Sequence, residues 1–300
     1  MRCLILGATG QIGSQLVIGC QERGYGHLGT WYRHSQPEAV PLDLRDAEAV
    51  TDLIADYQPD VTFLAAGISS AGYAEQAAEE TMAINVAGSK TVVQAVAEQG
   101  GNLVFFSSDA VFGDCSSARK EEDPTVAHGV FVRGKLEMEE TIRQQLPDRH
   151  LIIRTGWLYG PDERQDGLLG SLLRQLERPE PVEVANDRFG QPCYTPDLAS
   201  AVLELAKMGQ TGTFHLVGPE KHSEATFARL VCHLFGYDVD RLSAVPAEQL
   251  DEADPRPKRI WLDRFKMREA LGSKAIRSPS EALRVCRTIL TPERTVARAA

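Results

Sequence analysis

Cys3-Leu4-Ile5-Leu6-Gly7-Ala8-Thr9-Gly10-Gln11-Ile12-Gly13 sets four apolar residues before a glycine-rich turn and the start of a helix-patterned run. A short apolar run bounded by glycine predicts a buried strand, and the residues from about Gln11 to Arg23 predict a helix. Glycines at such a turn let the backbone curl tightly and approach a pyrophosphate with no Cβ in the way. The helix behind the turn offers free N–H groups and the positive end of its dipole to an anion. This strand–turn–helix setting makes Gly7, Thr9, Gly10, Gln11, Ile12 and Gly13 candidates for binding a nicotinamide dinucleotide; a structural turn is the plain alternative.

The alternation continues outward from there. His27 to Tyr32 reads as a strand, Asp46 to Tyr57 as a helix, Val61 to Ala66 as a strand and Ala74 to Glu98 as one long helix. Leu103 to Ser107 and Leu151 to Thr155 read as strands separated by a helix from Phe131 to Gln145, and Thr213 to Val217 as one more sheet strand. Such alternation predicts an α/β fold, a Rossmann-like doubly wound parallel sheet with helices on both faces. The unbroken run Leu103-Val104-Phe105-Phe106 suits a strand covered on both sides. After Gly160 prolines punctuate shorter elements, and the polar segment Pro246 to Lys258 suggests an ordered loop or lid. The expected organisation is a dinucleotide-binding domain from 1–160 with about 194–218. A smaller C-terminal, substrate-binding region is expected from about 161–193 and 219–300.

Length and composition narrow the function. A chain of 300 residues with 43% hydrophobic content can bury a large core. Its formal net charge of −10 argues against a nucleic-acid backbone or an anionic membrane as the main partner. No run reaches membrane-span length, and glycines interrupt the opening apolar stretch too early for a signal peptide. The six cysteines are scattered without C-x-x-C or zinc spacing, so reduced thiols, a cytoplasmic location and no metal are expected.

The end of the second strand bears on the cofactor. An acid there would bind the ribose 2′-hydroxyl of NAD, whereas a basic residue suits the 2′-phosphate of NADP. Trp31-Tyr32-Arg33-His34 holds no acid, and Arg33 offers a planar fork of donors, so NADP(H) is favoured over NAD(H) unless Arg33 is a solvated loop residue. Asp43, beside Leu44, could accept from an adenine amino group or cap the helix that follows. Leu44 and Ala65-Ala66-Gly67, at the end of the next strand, complete the candidate cofactor contacts.

Later motifs resemble the extended short-chain dehydrogenase/reductase family, in particular its dTDP-4-dehydrorhamnose reductase-like branch. Ser107-Ser108-Asp109-Ala110-Val111-Phe112-Gly113 is similar to that branch's S-[ST]-D-Y-V-F, and Arg154-Thr155-Gly156-Trp157-Leu158-Tyr159-Gly160 to its R-T-S-W-V-Y. Asn186-Asp187-Arg188-Phe189-Gly190-Gln191-Pro192 with Asp197-Leu198-Ala199 is similar to its N-D-Q-x-G-x-P-T…D-L-A, and Arg256-Pro257 with Leu262 to Gly272 to its tail. The resemblance spans nearly the whole chain and implies an oxidoreductase acting on the 4-keto group of a nucleotide-linked sugar.

It also implies roles. In the family a Ser or Thr orients the carbonyl, a Tyr supplies the proton, and a Lys four residues later lowers the Tyr pKa and holds the nicotinamide ribose. Ser108 and Lys135 match two of these positions; the third is Phe131, which cannot donate a proton. Trp157, Asn186, Phe189, Gly190 and Arg256, with Lys258, fall where the family holds its substrate. Trp157 as a core residue and Arg256 as part of a surface charge cluster are the structural alternatives. Asn85 matches a family asparagine and could brace the cofactor loop.

Phe131 leaves three readings open. A reductase could take its proton from another group, with His128, Tyr159, Tyr194, Asp109 or a water on Ser108 as candidates. The chain could be a catalytically inactive cofactor-binding or regulatory protein. It could also be an epimerase or lyase on an activated sugar. Apolar patterning around Phe131 and from Ala74 to Glu98 is compatible with a homodimer face.

Overall fold

The computed structural model describes residues 1–161, 167–250 and 255–290. The first half of the chain runs β1 (Arg2–Leu6), α1 (Gln11–Glu22), β2 (Gly26–Trp31), β3 (Ala39–Pro41), α2 (Ala47–Tyr57) and β4 (Val61–Leu64). It continues with α3 (Ala71–Gln76), α4 (Ala78–Met82), a π-helical stretch Ala83–Gly88, α5 (Ser89–Gln99), β5 (Asn102–Ser108), α6 (Gly129–Gln145) and β6 (His150–Thr155). The second half supplies β7 (Leu158–Tyr159), α7 (Leu168–Leu176), β8 (Val182–Ala185), β9 (Phe189–Gly190), β10 (Cys193–Tyr194), α8 (Thr195–Lys207) and β11 (Gly212–His215). Then come β12 (His222–Ser223), α9 (Glu224–Phe235), β13 (Leu242–Val245), α10 (Ala247–Leu250), α11 (Phe265–Leu271) and α12 (Pro279–Leu290).

Seven strands, all parallel, form the central sheet in the order β3-β2-β1-β4-β5-β6-β11. The expected Rossmann-like doubly wound sheet is thereby observed. The order reverses at β1, so the strand ends of β1 and β4 open a crevice between helices that leave in opposite directions, the usual ligand position in such sheets. β1 and β4 are apolar on both faces because helices cover both. Leu16, Leu198, Val202 and Leu205 pack with Ile5 and Phe63 on one side. Val50, Val92, Met138 and Ile142 pack with Leu4 and Leu64 on the other. A third apolar cluster joins Leu169 and Leu173 of α7, Val182 of β8, Phe227 and Val231 of α9 and Leu283 of α12.

Local chemistry fixes several ends. Asp46 caps α2 by accepting from Ala49 N–H, and Ser223 and Thr226 form a reciprocal capping box at α9. The helix after Asp43 is thus capped by Asp46, against the capping role considered for Asp43. The long helix expected over Ala74 to Glu98 is broken. The backbone leaves helical geometry at Ala77 (φ −123°, ψ 54°), and Ala83–Gly88 winds as a π-helix before α5 begins. Of the expected Pro246 to Lys258 loop, 247–250 are helical and 251–254 lie outside the described residues. Among the described residues no helix is long and apolar enough to cross a membrane.

Candidate active site

A cleft of about 610 Å³ lies along the carboxyl ends of β1, β4, β5 and β6, lined at one end by Gln11 and Ile12 and at the other by Arg188 and Arg256. Its inner end begins at the glycine turn. Gly7 adopts φ +85°, its N–H donates to Thr30 Oγ1 at 3.1 Å, and Gly10 N–H closes the turn onto Gly7 O at 3.0 Å. A Cβ on Gly13 would lie 2.1 Å from Gly7 O, so glycine is required for α1 to start this close to β1. Gly10 occupies the N-cap of α1 without a side-chain cap, which leaves the first-turn N–H groups to a ligand or water.

At the end of β2, Arg33 is exposed and pairs with Glu80 at 3.3 Å. Asp43 is gripped by Arg45, which donates from its Nε and Nη2 and from its backbone N–H, and the guanidinium holds the Asp43 carboxyl below the usual carboxylate range. Arg45 also donates to the Tyr32 hydroxyl and lies over that ring, with its guanidinium carbon 5.5 Å from the centroid. Two arginines therefore flank Tyr32. Arg45 escaped the sequence reading because only the return of the chain through β3 brings it back to β2.

Ala65, Ala66 and Gly67 line the cleft at the end of β4. Asn85 braces this loop from the π-helical stretch: it accepts from Ile68 N–H and donates to Ile68 O, both at 2.8 Å. Leu44 is buried in the core, its carbonyl 2.5 Å from where a Cβ on Gly88 would stand.

Ser108, Asp109, Phe131 and Lys135 meet at the centre of the cleft. The Ser108 hydroxyl accepts from Ala110 N–H at 3.1 Å and donates to Asp109 Oδ1 at 3.3 Å. Asp109 is 6% exposed, and burial pushes its carboxyl up to about 7. Lys135 donates from Nζ to Phe106 O at 2.8 Å and lies 4.8 Å from the Phe105 ring centroid and 5.6 Å from that of Phe131. Burial pulls its ammonium down to about 8, with Glu139 one turn along α6 opposing the shift. Glu139 is itself fully buried beneath the site. It accepts from Arg154 Nε and Nη2 at 3.0 and 2.7 Å, from Arg143 at 2.7 Å and from Ser107 Oγ at 2.6 Å, and these partners hold its carboxyl below the ordinary range against desolvation.

His128 is at the N-cap of α6 and on the cleft wall. Its Nδ1 sits 3.1 Å from Val126 O, while Nε2 is hidden from solvent without a hydrogen-bond partner among the described residues. Glu75, not anticipated from the sequence, lines the same wall and accepts from Val130 N–H, closing the start of α6. Tyr159 and Tyr194 are elsewhere. Their strands β7 and β10 pair, both rings are buried in the third apolar cluster, and burial raises both phenols far above their ordinary value. Neither lines the cleft, which removes them as proton donors.

On the outer side, Trp157 adopts φ +49°, a left-handed conformation rare for a bulky residue. Its indole lies against Gly190, where a Cβ would be 2.2 Å from Nε1. Trp157 lines the cleft; Gly190 lies behind it, and Phe189 and Asn186 are turned away, with Asn186 bonded to Ala244 and Val245 of β13. The residue of that motif that does face the cleft is Arg188, 5% exposed and 3.2 Å from Glu224. The sequence carried a signal for it: Arg188 stands where the resembled motif has Gln. Arg256 is exposed, lines the cleft and pairs with the same Glu224 at 3.9 Å, whereas Lys258 turns to Asp187 and Glu248.

A family model described as RmlD substrate binding domain matches residues 1–288. A dTDP-4-keto-6-deoxy-D-glucose reductase of Streptomyces niveus is 28% identical over 287 residues, covering 94% of this chain and 95% of that protein. A dTDP-4-dehydrorhamnose reductase structure from Clostridium acetobutylicum superposes with a TM-score of 0.87 at 26% identity, over 97% of this chain and 99% of that one. The Bacillus anthracis dTDP-4-dehydrorhamnose reductase, solved in complex with NADP, has a TM-score of 0.85 at 24% identity over the same shares of the two chains, a likeness of fold.

Proposed function

Since this chain belongs to the RmlD substrate binding domain family, we propose that it is an NADP(H)-dependent reductase of the 4-keto group of a nucleotide-linked sugar. The observation that carries the reading is the convergence of Ser108 and Lys135 at the floor of one cleft that begins at an uncapped, glycine-lined helix start. The turn fits a dinucleotide on physical grounds. Gly7 packs its backbone against Ala66 and Gly13 lets α1 start against Gly7, and the N–H groups at the start of α1 match a pyrophosphate.

In this reading Gly7, Thr9, Gly10, Gln11, Ile12 and Gly13 hold the pyrophosphate. Ala65, Ala66 and Gly67 line the nicotinamide side. Arg33 and Arg45 supply the positive charge beside Tyr32 that a 2′-phosphate requires. The cofactor, when bound, supplies the hydride. Lys135 positions the ribose with its ammonium, and the Ser108 hydroxyl orients the substrate carbonyl. Trp157 offers an aromatic face to the hexose, and Arg188 and Arg256 pair with the nucleotide phosphates. The sheet-centred part of the chain holds the cofactor, and the region from about 161–193 and 219–300 holds the sugar nucleotide.

The test is NADPH oxidation with dTDP-4-keto-6-deoxy sugars, repeated with the corresponding UDP-sugars. Turnover with any of them is expected. Tight NADPH binding without turnover across the set would instead favour a cofactor-binding protein that has shed the reaction, the reading Phe131 makes its rival.

A further inference from the structure

Hydride delivery to a carbonyl carbon leaves an alkoxide that needs a proton, and the family position for the donor is a phenyl ring here. The cleft holds a second acid where one is needed. Asp109 directly follows Ser108, is buried, and shares a hydrogen bond with the Ser108 hydroxyl at 3.3 Å. Its carboxyl also occupies the space beside Gly156 where a side chain would begin. A Cβ on Gly156 would meet Asp109 Oδ2 at 2.1 Å and Oδ1 at 2.4 Å. Gly156 is outside the left-handed region, so its backbone does not call for glycine, and a side chain there would displace the Asp109 carboxyl from its present position. Phe131 and Gly156 are two departures from the resembled motifs that meet at one place: the first removes a phenol, and the second leaves the Asp109 carboxyl, which the motif shares, packed directly against backbone beside Ser108.

Resting on the reductase reading, we propose that Asp109 is the proton source of the reduction, passing its proton through the Ser108 hydroxyl to the substrate oxygen. Protonated Asp109 donates to Ser108 Oγ, which already accepts from Ala110 N–H, and the serine hydrogen is then directed at the carbonyl oxygen. As hydride from the reduced nicotinamide forms the new C–H bond, the carbonyl π-bond breaks onto oxygen. That oxygen takes the Ser108 proton, and Ser108 takes the proton of Asp109. The products are an alcohol, an oxidised nicotinamide and the Asp109 carboxylate, which solvent reprotonates. With Asp109 ionised, Ser108 donates to the carboxylate and has no hydrogen left for substrate.

Desolvation poises the acid for this duty by raising its pKa to about 7. The charged and titratable groups around it are Arg256, which opposes that rise, and Cys193 of β10, whose thiol Asp109 pushes further up. Lys135 of α6, His128 at its N-cap and Glu75 of α3 line the same cleft.

Asp109→Asn should lower kcat/KM for the keto sugar by about 10²–10⁴-fold, the usual worth of a positioned acid, with NADPH affinity unchanged. The wild-type kcat/KM should fall as pH rises through about 7, and that limb should vanish in the variant. Adding Phe131→Tyr to Asp109→Asn should restore turnover by returning a phenol to the site. Independently of turnover, infrared titration of the cofactor-free protein should show a protonated carboxyl band lost near neutrality, absent in Asp109→Asn and displaced in Gly156→Ser. An active wild type whose Asp109→Asn variant keeps its rate and its pH limb overturns the proton source alone. So does a wild type without that carboxyl band. A wild type inert toward every 4-keto sugar overturns the reductase reading, and the proton source with it.

Discussion

Replacing Glu139 by alanine removes the single acid at the centre of a buried cluster of charges. Glu139 is fully buried and Arg154 is 2% exposed, and the two are joined by a bidentate pair at 3.0 and 2.7 Å. Without the carboxylate, Arg154 keeps only Glu121 O as an acceptor among its described hydrogen bonds. Arg143, whose side chain is 38% exposed, can turn to solvent, so the cost falls on Arg154. Breaking one side of a buried pair typically costs about 3–5 kcal/mol. With an unfolding entropy of about 2.1 cal/mol/K per residue over this chain, that is a fall in Tm of about 5–8 °C. The assay is calorimetry with urea unfolding at pH 7. Glu139→Leu with Arg154→Met, which removes both charges, should recover most of the loss, because the desolvation cost leaves with them. A Glu139→Ala loss no larger than the roughly 1 kcal/mol of an exposed pair would refute the reasoning. A double variant less stable than the single one would refute it equally. The pH sign follows from the lowered Glu139 carboxyl: the stabilisation is present above the ordinary glutamate value and is lost as pH falls through the folded one.

Gly13→Ala should weaken NADPH binding by at least about tenfold, roughly 1.4 kcal/mol, since the new Cβ forces Gly7 O away and opens the turn; fluorescence titration of NADPH reads this. Arg33→Ala and Arg45→Ala should each raise the Kd for NADPH while leaving that for NADH nearly unchanged, and equal losses for both cofactors would remove the 2′-phosphate assignment. Lys135→Met should abolish turnover yet melt no lower than wild type at pH 7. The folded protein holds this lysine with a lowered pKa of about 8, so the unfolded chain binds more protons and stability rises with pH between about 8 and the ordinary lysine value. Asp109→Asn should melt higher than wild type at pH 8, because a raised carboxyl pKa means that stability falls as pH rises from the ordinary aspartate value to about 7 and the full cost remains above it.

The glycine turn, the alternation and the buried strands could be read from the chain because each depends on neighbours in sequence. Leu103 to Phe106 is apolar throughout since both faces of β5 are covered. What failed depended on residues far apart. The π-helical winding of 83–88 accompanies Asn85 reaching Ile68 of the loop after β4, a contact that no local propensity records, and the helix is also broken at Ala77. Tyr159 and Tyr194 were candidates by their place in motifs, but only the pairing of β7 with β10 decides that both rings enter the core. Ser108, Lys135 and Phe131 fall in the cleft as the motif spacing implied, whereas Asn186 and Phe189 turn away from it and Arg188 faces it. Sequence order names a motif's members; the backbone's local direction selects which of them point inward.

The π-helical stretch 83–88 carries a consequence for how this chain tolerates changes of length. It holds one residue more per turn than an α-helix needs, and that surplus turns Asn85 toward the loop after β4. Deleting a single residue there would let the segment relax into an α-helix and rotate one end against the other by about 100°, the angle per residue of a 3.6-residue turn. Either the brace on Ile68 or the packing of Val92, Val93 and Val96 would then face the wrong way. A one-residue deletion in the exposed connection between β2 and β3 moves no packed face. For a library of length variants, helical register at 83–88 is therefore a hard boundary inside an otherwise unremarkable helix.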